Sequence, residues 1–387
     1  MKITIACKYF SPRGGAQTFL FNFVRHLLED DHRVRVITME VEGEMDGVET
    51  QKVPMPPVPK TFRDVTFARR VQKILQKDEH DISFGEQKTW GADVVRPGGG
   101  VHEEYLTQVI SSYPSAFLRF IQSIRKRISL KERLNLHIER KLYRKHRPLR
   151  VIAISHMVRQ HLLEYYPGLR GRIPLVYCGV DCDRFVPGHD EEKAAVRREL
   201  GVPSDALLCA FCAFDLRRKG IDTTLRALSI LKERQRQRPV HLLVIGRDKH
   251  WARRLASRVD VSDRVYFTGI TEPDRYYRAC DLSVLPSYFD PFANVCLESL
   301  ASGLPLITSS HTGAHELLTP GKDGFYIEDP QDAEALAEHI AHFSDQKVLN
   351  NASSAARRLA CEYTDDRMFS ELMDVIRAAL DEKRRRE

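Results

Sequence analysis

Short apolar runs alternate with amphipathic helical patterns along nearly the whole chain, and this alternation constrains the fold more than any other feature. An apolar run at 3–7 is followed by a Gly-Gly turn, a helical pattern over 19–28 and a second apolar run at 34–38. A strand, a glycine turn, a helix and a further strand in this order predict the start of a parallel sheet. Strand-like runs at 82–84 and 151–154 continue the series.

A second series of the same kind begins after Pro174 and includes helical stretches at 220–238 and 331–344. Its strand candidates are six apolar runs: 207–214, 240–245, 265–267, 282–285, 306–308 and 324–327. The length of 387 residues suits two domains of ordinary size. We therefore expect an α/β protein with two doubly wound domains.

The basic charge of the chain is concentrated in residues 115–150. This segment holds twelve Lys and Arg against two Glu, a local charge of +10, whereas the whole chain carries +7. Apolar side chains recur through it at helical spacing, which predicts an amphipathic helix over about 117–147. Such a helix suits an anionic membrane surface. A helix packed on its own domain with a solvated basic face is the alternative, and we expect no nucleic-acid partner because no recognised nucleic-acid module accompanies it.

The eight cysteines are spread through apolar segments. The apolar run at the start is too short for a signal-peptide core, and no run of 18 apolar residues is present. We therefore expect a cytosolic protein with reduced thiols. Cys209 and Cys212 form a CxxC inside a predicted strand without a second ligand pair, so we expect core thiols and no metal site.

Two turns that follow predicted strands are candidate anion sites. Gly14-Gly15 places backbone N–H groups and a helix start at the edge of the first sheet, although a plain tight turn is the alternative reading. Arg218-Lys219-Gly220 opens a helix in the second series. Cations at a helix N-terminus oppose the helix dipole, and a bound diphosphate would remove that conflict. A solvated helix start is the alternative here.

Two acids eight residues apart form a third candidate. Asp290 follows the strand at 282–285, and Glu298 lies on a helix predicted to begin near Ala293. A carboxylate accepts two hydrogen bonds from a vicinal diol, which suits a ribose or a hexose. The free N–H groups of 293–295 would point at a phosphate or sugar oxygen. An N-cap Asp and a surface Glu are the alternative reading.

A glycine-rich turn at 98–100 is followed by His102. A turn without side chains lets the backbone approach a substrate closely. His102 would then hydrogen-bond a sugar hydroxyl or the acceptor, and a histidine that caps the following helix is an equally good reading.

Together these motifs resemble those of the retaining GT-B glycosyltransferases, most closely the lipopolysaccharide core glucosyltransferase group. The motifs that carry the resemblance stand in the family's order: Gly-Gly at 14–15, Gly-Val-Asp at 179–181, Arg-Lys-Gly at 218–220, Gly-Arg-Asp-Lys at 246–249, Val-Tyr-Phe-Thr-Gly at 265–269 and the two acids. The resemblance covers nearly the whole chain. It implies two Rossmann-like domains facing across a cleft, with acceptor binding by 1–173, nucleotide-sugar binding by 174–364, and a helix at 365–387 that packs back on the first domain.

The resemblance also implies roles for individual residues. Arg218 and Lys219 would clamp the donor diphosphate, so that no metal or other cofactor is needed. Asp290 would hold the transferred sugar, and Glu298 would take the ribose hydroxyls. Independently of the resemblance, its place after the glycine-rich turn puts His102 among the expected catalytic residues. The remaining donor contacts would come from nine residues: Gly14, Gly15, Arg184, Gly246, Arg247, Pro291, Ala293, Asn294 and Val295.

Three positions depart from the family's pattern. Phe214 stands where the family often has Arg, Asp290 where it usually has Glu, and Phe19 where the closest relatives carry an acid. These differences concern the phosphate clamp, the position of the sugar, and the specificity for donor or acceptor.

The expected function is transfer of a hexose, most simply glucose from UDP-glucose, to a lipid-linked saccharide such as the heptose of a lipopolysaccharide core. The enzyme would work as a peripheral protein on the inner face of the cytoplasmic membrane. A nucleotide-sugar 2-epimerase of the same fold, or a non-catalytic protein that binds lipid or nucleic acid, are the alternatives.

Overall fold

The structure is a computed structural model that describes residues 1–12, 14–43, 45–86, 89–113, 115–234, 238–247 and 250–386. The chain divides into two compact units. Unit 1 consists of Met1–Tyr177 and Asp366–Glu387, and unit 2 of Cys178–Asp365. Residues 173 and 174, between which the sequence patterns predict a domain boundary, lie shortly before this division.

Unit 1 contains one parallel sheet. Its strands within the described residues are β1 (Lys2–Phe10), β2 (Arg33–Val41), β3 (Val48–Lys52), β4 (Ile82–Glu86), β5 (Val94–Arg96) and β6 (Arg150–Val151). They lie side by side in the order β3-β2-β1-β4-β5-β6, which is the Rossmann order. Five consecutive residues of β1 are buried, as expected of a parallel strand whose two faces are both covered.

Helices are interspersed with the strands of unit 1 along the chain. Those described are α1 (Gly15–Glu29), α2 (Arg63–Leu75), α3 (His102–Ser111), α4 (Ala116–Ile128), α5 (Leu130–Arg140) and α6 (His156–Tyr165). The prediction of one helix through the basic segment is wrong, because the chain turns at Ser129. The Ser129 backbone is extended, and its hydroxyl accepts a hydrogen bond from the Glu132 N–H, so that it ends α4 and caps α5.

Unit 2 repeats the same strand order. Its described strands are β7 (Leu207–Ala213), β8 (Val240–Gly246), β9 (Val265–Gly269), β10 (Leu282–Leu285), β11 (Leu306–Ser309) and β12 (Gly324–Ile327). Their order is β12-β11-β10-β7-β8-β9, again all parallel. The described helices of the unit are α7 (Asp190–Leu200), α8 (Ile221–Glu233), α9 (His250–Arg258), α10 (Asp274–Tyr277), α11 (Asn294–Ala301), α12 (Ala333–His342) and α13 (Gln346–Ala360). The predicted α/β class with two Rossmann-like domains is confirmed.

The last helix, α14 (Asp365–Arg384), packs almost entirely within unit 1. Phe369, Leu372 and Ile376 recur at helical spacing and are buried in the same apolar core as β1 and α1. The ring of Phe369 lies 5.6 Å from that of Phe23 on α1. Helix α14 therefore completes the apolar core of unit 1.

Candidate active site

The strand order creates a switch point in each sheet, from which the chain runs outward in both directions. In unit 2 this point lies between β7 and β10. Doubly wound sheets bind their ligands outside the carboxyl ends of the strands at such a point. The loop after β7 carries Arg218 and Lys219, and the loop after β10 carries Asp290. Residues predicted from two separate motifs therefore meet at one edge of one sheet.

These two loops are in direct backbone contact. The N–H of Tyr288 donates to the carbonyl oxygen of Arg218 at 2.8 Å. Gly220 ends the first loop with φ +82°, and a Cβ there would lie 2.1 Å from the carbonyl oxygen of Pro286. Glycine is therefore required at this position, both for its φ and for the close approach of the second loop.

Arg218, Lys219 and Asp290 form an ionic cluster between the loops. Arg218 Nη1 donates to Asp290 Oδ2 at 3.0 Å and to the Phe289 carbonyl oxygen at 2.7 Å, and Lys219 Nζ donates to the same Oδ2. Lys219 and Asp290 are only 7% and 8% exposed. The other carboxylate near Arg218 belongs to Asp215, which is 3.6 Å from Nε and largely exposed, so water screens it. Two cations facing one buried carboxylate leave a net positive charge that suits an anionic ligand.

The same contacts set the charge of Asp290. Burial by itself would raise the pKa of this carboxyl, but the charges of Lys219 and Arg218 outweigh burial and hold its pKa below the usual value. The backbone of Asp290 is also fixed, since its N–H donates to the His311 carbonyl oxygen and its own carbonyl accepts from the Gly313 N–H, both at 2.9 Å. The carboxylate is therefore ionised and held in one position.

Helix α11 begins beside this cluster with an uncapped N-terminus. Its first residue is Asn294, next to the predicted start near Ala293. Ala293 is the N-cap residue, and no side chain caps the first turn. Pro291 lies in the loop that leads to the helix. The N–H groups of Asn294 and Val295 are therefore available to a phosphate or sugar oxygen.

Glu298 lies one turn into α11 and is partly buried, and its carboxyl has no hydrogen-bond or ion-pair partner among the described residues. Burial raises the pKa of Glu298 to about 7, and the positive charge of Arg184 opposes that rise. Three further carboxylates raise the pKa of Glu298 as well: Glu272, Asp365 and Asp274. Arg184 is itself ion-paired with Glu272 and lies 3.9 Å from Asp274. The carboxyl of Glu298 is therefore close to its half-ionised point at neutral pH.

Gly246 and Arg247 lie at the carboxyl end of β8. A Cβ on Gly246 would lie 2.0 Å from the carbonyl oxygen of Ala213 on β7, so strand packing alone requires glycine there. Arg247 is exposed, and so is Phe214, which follows β7 and has 64% of its surface accessible. The other two residues of the predicted motif lie outside the described residues: Asp248 and Lys249.

Gly14 follows β1, the first strand of unit 1, as the loop with Arg218 and Lys219 follows β7, the first strand of unit 2. It is the N-cap residue of α1 with φ +91°, and Gly15 is the first residue of the helix. No side chain caps α1, and its first turn contains no acid. This is the geometry of an anion-binding helix start, and contact with the donor phosphates remains a prediction.

His102 is the first residue of α3 and is held by two acids of α5. Its backbone N–H donates to the Glu139 carboxylate at 3.0 Å and 3.2 Å, and its Nε2 lies 2.8 Å from Glu132 Oε2. Lys126 Nζ lies 3.0 Å from the other oxygen of Glu132. The contact with His102 lowers the pKa of Glu132 to about 2. Burial opposes this shift, and the contact with Lys126 adds to it. The N-cap residue of α3 is Val101, whose side chain makes no capping hydrogen bond, and the His102 ring is oriented by Glu132.

Sequence reasoning missed the acids that position these candidates. Glu132 and Glu139 hold His102, and Glu272 and Asp274 surround Arg184. Glu132 and Glu139 are the two acids among the twelve Lys and Arg of the basic segment 115–150. Two acids in so basic a segment are a signal that could have identified them. Glu272 lies in a polar loop and Asp274 begins α10, and neither carries such a signal.

Helix α5 also lines two adjoining cavities of unit 1, of about 830 and 610 Å³, which share Leu134 and His137. Seven cations line them: Arg69, Arg70, Lys73, Arg133, Arg140, Lys141 and Lys145. Among the described residues, Glu103 is the one acid that pairs with any of these cations, through Arg140 at 3.2 Å. The cavities, here called the basic groove, therefore carry uncompensated positive charge.

Helix α4, by contrast, has no buried residue. Its outward apolar side chains include Phe117, Phe120 and Ile128, with exposures of 70%, 63% and 71%. No helix in the described part of the chain has both the length and the hydropathy to cross a bilayer. Within the same residues, no group of three or more His, Cys, Asp or Glu side chains is placed to hold a metal ion.

Two family models match the chain. The model "Glycosyltransferase Family 4" matches residues 13–184, and "Glycosyl transferases group 1" matches residues 192–359. Together they cover all but the two ends and a short link between them. Each match falls largely within one of the two units of the structure.

Individual proteins show the same relationship. A D-inositol 3-phosphate glycosyltransferase of Streptomyces avermitilis is 30% identical over 251 residues, which are 61% of this chain and 53% of that protein. The chain thus spans about half the length of the curated relatives that it matches. The structure of WaaG, a glycosyltransferase involved in lipopolysaccharide biosynthesis, matches with a TM-score of 0.80 and 22% identity over 97% of this chain and 99% of that one. Anabaena Alr3699/HepE in complex with UDP and glucose matches with a TM-score of 0.69 and 16% identity over 97% and 98%.

At these identities the solved structures establish a shared fold, while the two family matches extend the relationship to the sequence. The two Rossmann-like sheets of the structure agree with both. The chain therefore belongs to the GT-B glycosyltransferases, with a family 4 domain followed by a group 1 domain.

Proposed function

We propose that the protein is a retaining hexosyltransferase that moves a sugar, with glucose as the first candidate, from a UDP-sugar to a lipid-linked saccharide such as the heptose of a lipopolysaccharide core. The observation that carries this proposal is the cluster of Arg218, Lys219 and Asp290 at the switch point of unit 2. Its net positive charge and the free start of α11 suit a nucleoside diphosphate. Its ionised carboxylate suits the hydroxyls of the transferred sugar.

In this proposal, Arg218 and Lys219 bind the donor diphosphate and stabilise the charge that develops on it as the sugar departs. Without a donor both cations contact Asp290, so the diphosphate shares them with the carboxylate. Asp290 then accepts hydrogen bonds from the sugar, and Glu298 accepts them from the ribose. The donor is thus oriented from both ends.

Retention is explained best by departure and attack on the same face of the sugar. The bond from C1 to the diphosphate oxygen breaks, the acceptor hydroxyl oxygen bonds to C1 from the same side, and the hydroxyl proton passes to the departing diphosphate. Two cations hold the negative charge of Asp290, which makes it a poor nucleophile. A covalent glycosyl-enzyme of the glycosidase kind is therefore not part of the proposal.

Unit 1 would bind the acceptor. His102 contributes a ring whose Nε2 is held by Glu132, which leaves Nδ1 for an acceptor hydroxyl. The basic groove on α5 adds a surface for anionic groups attached to the saccharide. The name of the Streptomyces relative describes an acceptor that carries a phosphate, and an anionic acceptor fits this groove.

Helix α4 would hold the enzyme on the inner face of the cytoplasmic membrane as a peripheral protein. Phe117 and Ile128 project their apolar side chains outward, and three cations occupy the last turn: Arg125, Lys126 and Arg127. Apolar insertion combined with attraction to anionic headgroups gives reversible surface binding. This would bring the protein to an acceptor that cannot leave the bilayer.

The donor is tested first by thermal shift with UDP, GDP, UDP-glucose and UDP-galactose. A ligand at about 100 times its dissociation constant stabilises the folded protein by about 2.7 kcal/mol. We expect the uridine compounds to raise the melting temperature and GDP to have a smaller effect. No shift with any nucleotide would contradict the donor assignment and favour a non-catalytic binding protein.

The reaction is tested by UDP release from the preferred donor with and without a lipid-linked saccharide fraction. We expect release to stay near background until acceptor is added, and the product to retain the anomeric configuration. Conversion of the UDP-sugar to its 2-epimer without acceptor would overturn the proposal in favour of the epimerase.

A further inference from the structure

Two cysteines that are distant in sequence lie side by side in unit 2. The Sγ atoms of Cys182 and Cys361 are 2.8 Å apart, although 179 positions separate the two residues in the chain. Cys361 is exposed and Cys182 is partly buried. The other cysteines lie elsewhere and are buried or partly buried: Cys7, Cys178, Cys209, Cys212, Cys280 and Cys296.

The backbone holds both cysteines in place. Val180 pairs with Thr364 in a parallel bridge, and the Val180 N–H donates to the carbonyl oxygen of Tyr363 at 3.0 Å. Arg357 Nη2 donates to the carbonyl oxygen of Cys182 at 2.7 Å, and Arg357 lies on α13, one turn before Cys361. The sulfurs therefore need to move by less than 1 Å to reach the length of a disulfide bond, about 2.05 Å.

We propose that Cys182 and Cys361 are an oxidisable pair that forms an intrachain disulfide with a small dialkyl disulfide as the oxidant. The Cys361 thiolate attacks one sulfur of the oxidant, which forms a mixed disulfide and expels one small thiolate. Cys182 then attacks Cys361 Sγ, forms the Cys182–Cys361 bond and expels the second thiolate. The protein loses two electrons and two protons, and the oxidant becomes two small thiols.

The surroundings set the order of the two steps. Cys361 is the exposed residue of the two, so the oxidant reaches it first. Burial, followed by the contact with Cys361, raises the pKa of Cys182 to about 12, which keeps Cys182 protonated until its neighbour has reacted. Arg357 lies next to Cys182, and its charge favours the thiolate when the proton leaves. Cys361 is thus the attacking residue and Cys182 the resolving one.

The position of the pair gives the bond a structural effect. Cys182 follows the point at which the chain enters unit 2, and Cys361 precedes the point at which it leaves. A bond between them closes a loop that contains almost all of unit 2, which restricts the unfolded chain strongly. Arg184, which influences Glu298, lies two residues from Cys182, so oxidation fixes the backbone next to the proposed ribose site.

The test treats the full chain with glutathione disulfide and maps the products by mass spectrometry under non-reducing conditions. We expect the loss of two free thiols per chain and a single Cys182–Cys361 linkage. The unfolding temperature should rise by several degrees on oxidation and fall back to its original value on reduction. Cys182→Ser should instead accumulate one glutathione adduct on Cys361, because the resolving thiol is missing. Cys361→Ser should form neither product.

Cys212→Ser is the matched control, because Cys212 is the other partly buried cysteine with a different neighbourhood. This variant should form the linkage at the parent rate. The proposal would be overturned by a stable adduct on Cys361 in the parent protein, by two thiols lost in Cys361→Ser, or by a linkage between any other pair. Because mapping reads the bond itself, the outcome does not depend on whether the protein transfers sugar.

Discussion

Glu298 should make the affinity for nucleotide sugar depend on pH. Its carboxyl has a pKa of about 7 without ligand, so the neutral form, which is a poor acceptor for two ribose hydroxyls, is abundant at neutral pH. Binding of the ribose favours the ionised form and lowers this pKa. The affinity therefore rises with pH through the pKa of the unliganded protein and is lost as pH falls below it.

The size of the effect follows from the fraction of Glu298 that is ionised. With a pKa of about 7, about a tenth of the protein is ionised at about pH 6 and about nine tenths at about pH 8. The dissociation constant of UDP-glucose should therefore be about tenfold higher at the lower pH, a difference of about 1.4 kcal/mol. Calorimetric titration with UDP-glucose is the suitable assay, because its phosphates are diesters and stay ionised over this range.

Glu298→Gln provides the control, since an amide has the same shape and does not titrate. The variant should bind UDP-glucose more weakly than the parent at about pH 8, with a dissociation constant that varies much less with pH. A parent protein whose affinity is the same at both pH values would refute the assignment of Glu298 to the ribose. So would an equally steep profile in Glu298→Gln, which would attribute the titration to another group.

The other predictions concern the cations, the sugar contact and the membrane. Lys219→Ala should raise the dissociation constant of UDP about tenfold to a hundredfold, because it removes a charge-assisted contact of about 1.5 to 3 kcal/mol; unchanged calorimetric affinity would rule out the clamp. Asp290→Asn should lower the turnover number, measured from initial rates, far more than the affinity for UDP, measured by titration. An equal loss in both quantities would contradict this prediction. Replacing Arg125 and Arg127 by Ser should reduce co-sedimentation with anionic liposomes at about 0.1 M salt and spare UDP binding; Lys126 is left intact because it contacts an acid on α5. A parent protein that fails to pellet with these liposomes would exclude membrane docking by α4.

The sequence predicted every described strand except β3 and β5. β1 and β7 are continuous apolar runs and were visible in the pattern. β3 reads Val-Glu-Thr-Gln-Lys and lies at the edge of its sheet, where solvent accepts polar side chains on the open side. β5 has only three residues, Val-Val-Arg, and its apolar pair is too short to read as a strand. Both strands, β3 and β5, form because they pair with neighbouring strands, and their own sequences do not indicate it.

The basic segment shows the same limit for helices. Its apolar stripe continues across Ser129, so periodicity alone predicts one helix. A serine is tolerated inside a helix but is favoured as an N-cap, and the capping contact with the Glu132 N–H decides between the two. Spacing along the chain does not contain that information.

The candidate site was predicted as a set of residues but not as an arrangement. Lys219 and Asp290 were assigned to different parts of the donor, and their direct contact joins positions 71 residues apart. Motif order cannot predict such a contact, because the strand order of the sheet brings the two loops together. The pKa of Glu298 is raised first by burial and further by Glu272 and Asp274, two acids that belong to no motif.

The contact between Gly220 and Pro286 has a consequence for how the donor is received. Because the two loops touch through their backbones, the cations of one and the carboxylate of the other keep their separation when no ligand is bound. The conformational freedom that a mobile pair of loops would lose on binding has already been lost when unit 2 folds. In the proposed function, a donor therefore meets charges that are already aligned, and its binding free energy need not include their ordering.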